Sequence, residues 1–453
     1  MNRKHWIALA LLVATVLALL WPALYNGYPL VYSDSGTYIN SGFKHVLPVD
    51  RPVTYSYLVR HISMEHSLWF VIIVQAVMVW FYSGYFLSTW FKRPYLLSSV
   101  LLIPLALLTG LSNFTSQIMA DLLEGLALLG FVALVLKKEF KWYDYLVFLF
   151  TAYLFSTHMA FAALAIGLTL VVALLVVFRQ LPLKSLLKSS TLAILPLVLL
   201  MFIQWSYSGH WRLSPAGNVF IFGRTLDSGI MQDYLKENCD EKGYFLCERV
   251  NDVPNHCHEM LWVLESPLYD STCISNGGWS NCWKVRNDEL GVIVGDLFTD
   301  ERYRARLISY YGLEFFRQLG DFEIGHLNSE REGSSVVYAI ENRINRELPA
   351  YQAARQYEAA LTFDAVSTIQ WIVVMLSLAA LLFFSIRSWK TWPVYFRLAL
   401  LLIILGILGN ALIVDLFGTT VNRYMARIVW LLPYLALLMI LFQPGIRKKW
   451  EDL

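Results

Sequence analysis

The stretch YSDSGTYINSGF, Tyr32 to Phe43, places the carboxylate of Asp34 inside a turn-forming S-D-S-G directly after the first apolar run of the chain. Other polar and charged side chains stand at similar junctions. Asp50 and Arg51 occur in VDRPVTYSYL, Gln117, Asp121 and Glu124 follow LSNFTS, His158 separates two apolar runs, and Asn422, Arg423 and Arg427 open the last run. The spacing of Asp121 and Glu124 puts them on one helix face. A charged group at the edge of hydrocarbon is costly unless it faces a hydrated, protein-lined cavity. Carboxylates and guanidiniums drawn from several segments therefore point to one polar site. Each has a plainer reading when taken singly: Asp34 as an Asx-turn or a helix cap, the rest as snorkelling chains or structural ion pairs. Their placement on one side of a membrane is what favours a site, so the elements that carry them matter.

Composition sets the class. Of 453 residues, 57% are hydrophobic and 15% aromatic, and the mean hydropathy is +0.50, the profile of a multi-span membrane protein. The net charge of +2 is spread along the chain and argues for neither nucleic-acid binding nor an acidic partner.

Crossing roughly 30 Å of hydrocarbon takes about 20 apolar residues in a helix. Ten runs fit, near 5–25, 68–90, 94–110, 118–136, 142–157, 159–178, 190–207, 366–386, 396–414 and 427–443. The stretch 142–178 is too long for one crossing and divides at Ser156, Thr157 and His158. With the N-terminus inside, the inner connections hold Arg3 and Lys4, Lys92 and Arg93, Lys137, Lys138 and Lys141, Arg179, Lys184 and Lys188, Arg387 and Lys390, and Arg447, Lys448 and Lys449. Every inner connection is basic, as the positive-inside rule requires. An undivided 142–178 would move Arg179, Lys184 and Lys188 outside. A cleaved signal peptide is the weaker reading of the first run, which is long and carries Trp21, Pro22 and Tyr25 where small residues belong.

All five cysteines, Cys239, Cys247, Cys257, Cys273 and Cys282, fall in the largest outer loop, which fits an oxidising compartment such as the periplasm. Cys239 with Cys247 and Cys273 with Cys282 are close pairs that leave one thiol over, although spacing alone fixes no connectivity. A zinc site at Cys257, flanked by His256 and His258, is the rival, and it lacks a C-x-x-C pair. Asn113 in NFT matches a glycosylation acceptor only by chance, so close is it to the membrane.

The chain thus divides into an N-terminal membrane module, 1–207, with an outer loop at 26–67, a loop domain at 208–365, and a C-terminal membrane module, 366–453. The first half of the loop domain, rich in Gly, Pro, Asn and Cys, reads as stapled loops. Its second half reads as helical, with TDERYRARLISYYGLEFFRQLG capped by Thr299 and ending at Gly320 and a further helix near AYQAARQYEAALTF.

The acidic residue and tyrosine of YSDSGTY, the R-P of DRPVTY, the acidic residue of SQIMADLLE and the R-Y of NRYMARIVWLLPYLALL resemble the GT-C superfamily of membrane glycosyltransferases. The resemblance covers the membrane modules, about two thirds of the chain. It implies an all-α polytopic fold and a sugar donor linked to a polyprenyl phosphate or pyrophosphate. It also implies an acceptor glycan, lipid or protein, and inversion at the sugar carbon by single displacement. Phosphate leaves without needing a proton, so one carboxylate acts on the attacking hydroxyl while cations take up charge on the phosphate. A glycoside hydrolase, by contrast, needs an acid as well as a base. On the motif, Asp34 is the base and Arg423 the donor-phosphate residue. Arg51 and His158 are second choices for the phosphate, and Tyr38, Asp50, Asp121, Glu124 and Asn422 complete the candidate site. The family often carries an adjacent acidic pair in this loop, whereas Asp34 is followed by Ser35, so a divalent metal stays open and no metal ligand is assigned. GNVFIFGR and GGWSNCW are sugar-stacking candidates whose plainer role is domain core.

Two other classes remain. A transporter or lipid flippase calls for polar or broken helices at mid-membrane and an internal repeat, neither of which is visible here. A non-enzymatic anchor for a periplasmic binding domain explains the cysteine loop but not Asp34, Asp121 and Arg423 in three separate connections.

Overall fold

A computed structural model describes residues 3–443 apart from 45, 326 and 419, together with 446. The basic residues Arg447, Lys448 and Lys449 lie outside the described residues. Among those described, the chain is helical, and its one β feature is an isolated bridge between Leu30 and Gln117.

The first long helix, α1 (Arg3–Asn26), is followed by α2 (Ser35–Lys44) and α3 (Thr54–Ser63), so the first connecting loop is itself largely helical. Then come α4 (Leu68–Leu87), α5 (Pro94–Leu108), the short α6 (Leu111–Thr115), α7 (Leu122–Leu136), α8 (Trp142–Phe155), α9 (Met159–Val177) and α10 (Leu183–Ser208). The run 142–178 is divided where Ser156, Thr157 and His158 were expected to divide it. Seven helices are long and apolar enough to cross a membrane, and three shorter apolar ones, α5, α7 and α8, occupy the remaining expected runs. Their 14 or 15 residues span only about 22 Å. Every residue of α7 is buried, so it stands inside the bundle, against α4, α8, α10, α20 and α21. The chain before it, α6 and the irregular stretch from Ser116 to Asp121, is buried too. Non-helical backbone at such depth is tolerated where protein encloses it.

The region after α10 corrects two expectations. Its first half folds as helices: α11 (Gly217–Leu226), α12 (Ile230–Lys242), α13 (Cys257–Trp262), α14 (Ser271–Ser275) and α15 (Trp279–Thr299). Disulfides join Cys239 to Cys247 and Cys273 to Cys282, leaving Cys257 as a buried free thiol. The next helix, α16 (Glu301–Gly320), ends at Gly320 as expected, but its cap is Asp300, whose side chain accepts from Arg302 N–H, since Thr299 closes α15. These helices share a core of their own built on Val219, Phe222, Leu261, Trp283, Ile293 and Leu307.

Residues beyond α16 belong with the membrane part instead. Phe322, Val336, Ile340 and Tyr351 join the main core, through α17 (Ser335–Arg343) and α18 (Leu348–Gln352). The helix expected over AYQAARQYEAALTF stops at Gln352. Anchors to the end of α1 outcompete it: Gln356 N–H donates to Asn26 Oδ1 at 2.7 Å, and its side-chain amide bonds both the N–H and the C=O of Val31. The chain closes with α19 (Asp364–Ser388), α20 (Val394–Phe417), α21 (Arg423–Val429) and α22 (Leu431–Leu441).

Candidate functional site

Backbone pairing brings the candidate residues together. Leu30 N–H donates to Ser116 C=O and Ile118 N–H to Leu30 C=O, both at 2.9 Å, which lays the chain after α1 along the irregular segment before α7. Ser35 secures it further, with Oγ donating to Ile118 C=O at 2.9 Å while accepting from Tyr32 N–H. The serine that stands beside Asp34 is thus a structural tie.

Asp34 does not use its carboxylate as a cap. Its partners among the described residues are two guanidiniums, Arg51 Nη2 at 3.0 Å and Arg423 Nη1 at 3.4 Å. Arg51 is shared with Asp50, whose Oδ2 accepts from Nε at 2.9 Å and from Nη2 at 2.5 Å. The ring of the buried Tyr38 lies 5.1 Å beneath the Arg51 guanidinium, an arrangement that favours the cation. Arg423 stacks over Tyr32 at 4.3 Å and stands 3.6 Å from Asp121. Its Nε finds no hydrogen-bond partner among the described residues. One helical turn on, Arg427 contacts Asp121 at 2.8 Å and Glu124 at 2.5 Å, all three groups being enclosed. Asn422 caps α21 through Oδ1, which accepts from Arg423 N–H.

Exposure separates these groups. The side chains of Asp34, Arg51 and Arg423 keep 24%, 11% and 14% of their surface, against 3% or less for Asp121, Glu124 and Arg427. A cleft of about 210 Å³ opens at Arg423, lined also by Tyr32, Gln117, Gly325, Leu327 and Asn422. Burial alone would raise the Asp34 carboxyl, but Arg51 and Arg423 outweigh it and hold the group at about 2. Burial, reinforced by Arg427, pushes His158 down to about 3. Its Nδ1 accepts from Ala160 N–H at 3.2 Å, capping α9. His158 is therefore a neutral cap, so as a second-choice phosphate residue it would act through its Nε2–H and not as a cation.

The start of α17 is tied to the residue before Asp34, where Ser335 Oγ donates to Ser33 C=O at 2.9 Å. Just before α17 comes Glu330, whose carboxyl is raised by burial and by Asp34. Sequence reasoning missed Glu330 because SEREGSS reads as a solvated charge run, and it missed Tyr32 because nothing marks a cation platform in sequence. Phe222 and Trp283, from the two aromatic motifs proposed for sugar stacking, lie in the loop-domain core. Arg224 of the first motif is buried against Asp415 at 2.6 Å, tying that domain to α20. Among the described residues no three His, Cys, Asp or Glu side chains converge as a metal site, at Cys257 or elsewhere.

No protein-family model, no curated protein and no solved structure matches this chain.

Proposed function

We propose that this chain is a GT-C-type membrane glycosyltransferase. It moves a sugar from a polyprenyl-phosphate-type lipid to an acceptor glycan, lipid or protein at the periplasmic face of a bacterial inner membrane. In this reading the chain crosses the membrane ten times with both termini cytoplasmic, α7 and its buried irregular leader together making one crossing. The observation that carries the proposal is Asp34 held between Arg51 and Arg423 beside the cleft. A lone turn residue or a snorkelling charge has no need of that arrangement.

In the reaction, an acceptor hydroxyl oxygen bonds to the sugar carbon as the bond from that carbon to the phosphate oxygen breaks. The phosphate leaves with the bonding pair, and the hydroxyl proton passes to Asp34. Arg51 and Arg423 take up the charge growing on the phosphate. Without donor, Asp34 is a poor base because the same two arginines stabilise its anion. An arriving phosphate replaces Asp34 on them, above all on Arg423, where the contact is the longer and the side chain lines the cleft. Released from its partners, the carboxylate becomes more basic at the moment it is needed.

The test is mass spectrometry of envelope glycolipids and glycans from cells carrying wild-type chain, no chain, or Asp34→Asn. Loss of one sugar from a defined glycan in the last two names donor and acceptor together. An unchanged envelope glycan profile without the chain removes the proposal.

A further inference from the structure

A second cavity, ringed by lysines, lies at the opposite end of α7 from Asp121, about 22 Å away along that helix. It has a volume of about 190 Å³ and is lined by Leu136, Lys137, Lys138, Lys184, Ser185 and Lys188, with Tyr395 at one side. We infer that this cavity binds the headgroup phosphate of an anionic phospholipid. The inference rests on the chain being a membrane protein and is independent of any transferase activity.

The four lysines are not equivalent. Lys137 is matched by the buried Asp144 at 2.6 Å. Lys188 Nζ donates to the backbone carbonyls of Lys137, at 2.5 Å, and Leu134, at 3.3 Å, so it neutralises the negative end of α7. Lys138 and Lys184 have no hydrogen-bond or ion-pair partner among the described residues, and Lys138 sits 5.6 Å over the Tyr395 ring. Glu139, next in the chain, is exposed. The cavity therefore carries uncompensated positive charge with a rigid floor. The first turn of α10 adds backbone N–H groups that helices leave without internal partners.

Neighbouring surface identifies a lipid rather than a free anion as the occupant. Along α10, Lys184 and Lys188 turn to the cavity, while Leu183 and Leu187 are 63% and 62% exposed, beside Val177 and Phe178 at 73% and 68%. A row of bare apolar side chains beside a basic pocket matches acyl chains continuing from a phosphate headgroup. Basic pockets between helix ends recognise anionic lipids in this way.

The experiment is native mass spectrometry of the full chain in non-ionic detergent, titrated with phosphatidylglycerol or phosphatidylcholine. Wild type is expected to retain phosphatidylglycerol preferentially. Lys138→Gln and Lys184→Gln should each weaken it about fivefold, and the pair together roughly thirtyfold. Lys390→Gln, at the same end of the bundle but outside the cavity, should leave it unchanged. Unaltered melting temperatures in detergent show that the variants are folded. Equal retention of the two lipids by wild type, wild-type retention by the double variant, or equal loss in Lys390→Gln overturns the inference. Displacement of the lipid by millimolar inorganic phosphate would assign the cavity to a free anion and overturn it as well.

Discussion

Replacing Asp34 by Asn separates binding from chemistry in a way a turn residue cannot imitate. The carboxyl is held at about 2 against an ordinary 3.8, equivalent to about 2 kcal/mol favouring its charged form in the fold. Because the folded value is depressed, that stabilisation is present above about pH 4 and fades as pH falls towards 2. Asn removes it but keeps the shape, and Arg51 retains Asp50 while Arg423 retains Asp121. The variant should therefore fold, melting lower than wild type at neutral pH, with the gap closing below about pH 4. The same interaction competes with a ligand phosphate for both arginines. Farnesyl phosphate, a dispersible mimic of the lipid carrier, should bind the variant more tightly, by up to about thirtyfold if the whole 2 kcal/mol is recovered. Sugar transfer, read from envelope glycolipids and then with purified protein, should fall at least about a hundredfold, the scale lost with a general base. Near-normal transfer by the folded variant would refute the role of Asp34. Weaker farnesyl phosphate binding would refute the exchange of partners.

Arg423→Ala should lower transfer by roughly a hundredfold or more and Arg423→Lys recover part of it, measured as initial rates at saturating donor. The rate should show no histidine-like titration between about pH 5 and 8, since His158 is already neutral there, and His158→Asn, which still caps a helix, should retain most activity. Cys257, raised to about 12 by burial and then by Asp227, should resist iodoacetamide at mild alkaline pH until the chain is unfolded, as intact mass will show. A membrane-impermeant thiol reagent applied to whole cells should reach single cysteines placed in 208–320 but none at Lys138 or Lys184. Arg427→Ala should abolish accumulation of folded protein, measured by size exclusion in detergent.

The membrane helices were legible because length and apolarity are local properties, and the break at His158 followed from charge on the flanking connections. Even the plausible cysteine pairs follow sequence proximity. What the sequence concealed depends on long-range contacts. Gln356 is held beyond α18 by Asn26 and Val31, and Glu330 lies near enough to Asp34 to feel its charge because Ser335 is tied to Ser33. The cap that His158 Nδ1 places on α9 was likewise not legible. The helices among the Cys-rich loops were obscured by Gly: Gly229, Gly243 and Gly278 cap α12 and α15, while Gly223, Gly291 and Gly295 lie inside α11 and α15.

Arg423 and Arg427 show why a list of intramembrane charges does not by itself locate a site. They lie one turn apart on α21 and both meet Asp121, yet Arg427 is enclosed by Asp121, Glu124 and Asn410, with its guanidinium over Phe161. Removing one partner from a buried ion cluster strands the others, at about 3 to 5 kcal/mol, so Arg427 serves to fix α7 against α21. Arg423 keeps 14% of its side-chain surface and a face on the cleft. The buried triad holds Asp121 in place, Asp121 steadies Arg423, and Arg423 meets both Asp34 and the cleft that the proposed function assigns to the donor phosphate. On this argument the costly interior charges are the mounting for the site, and the partly exposed Asp34, Arg51 and Arg423 are its working surface.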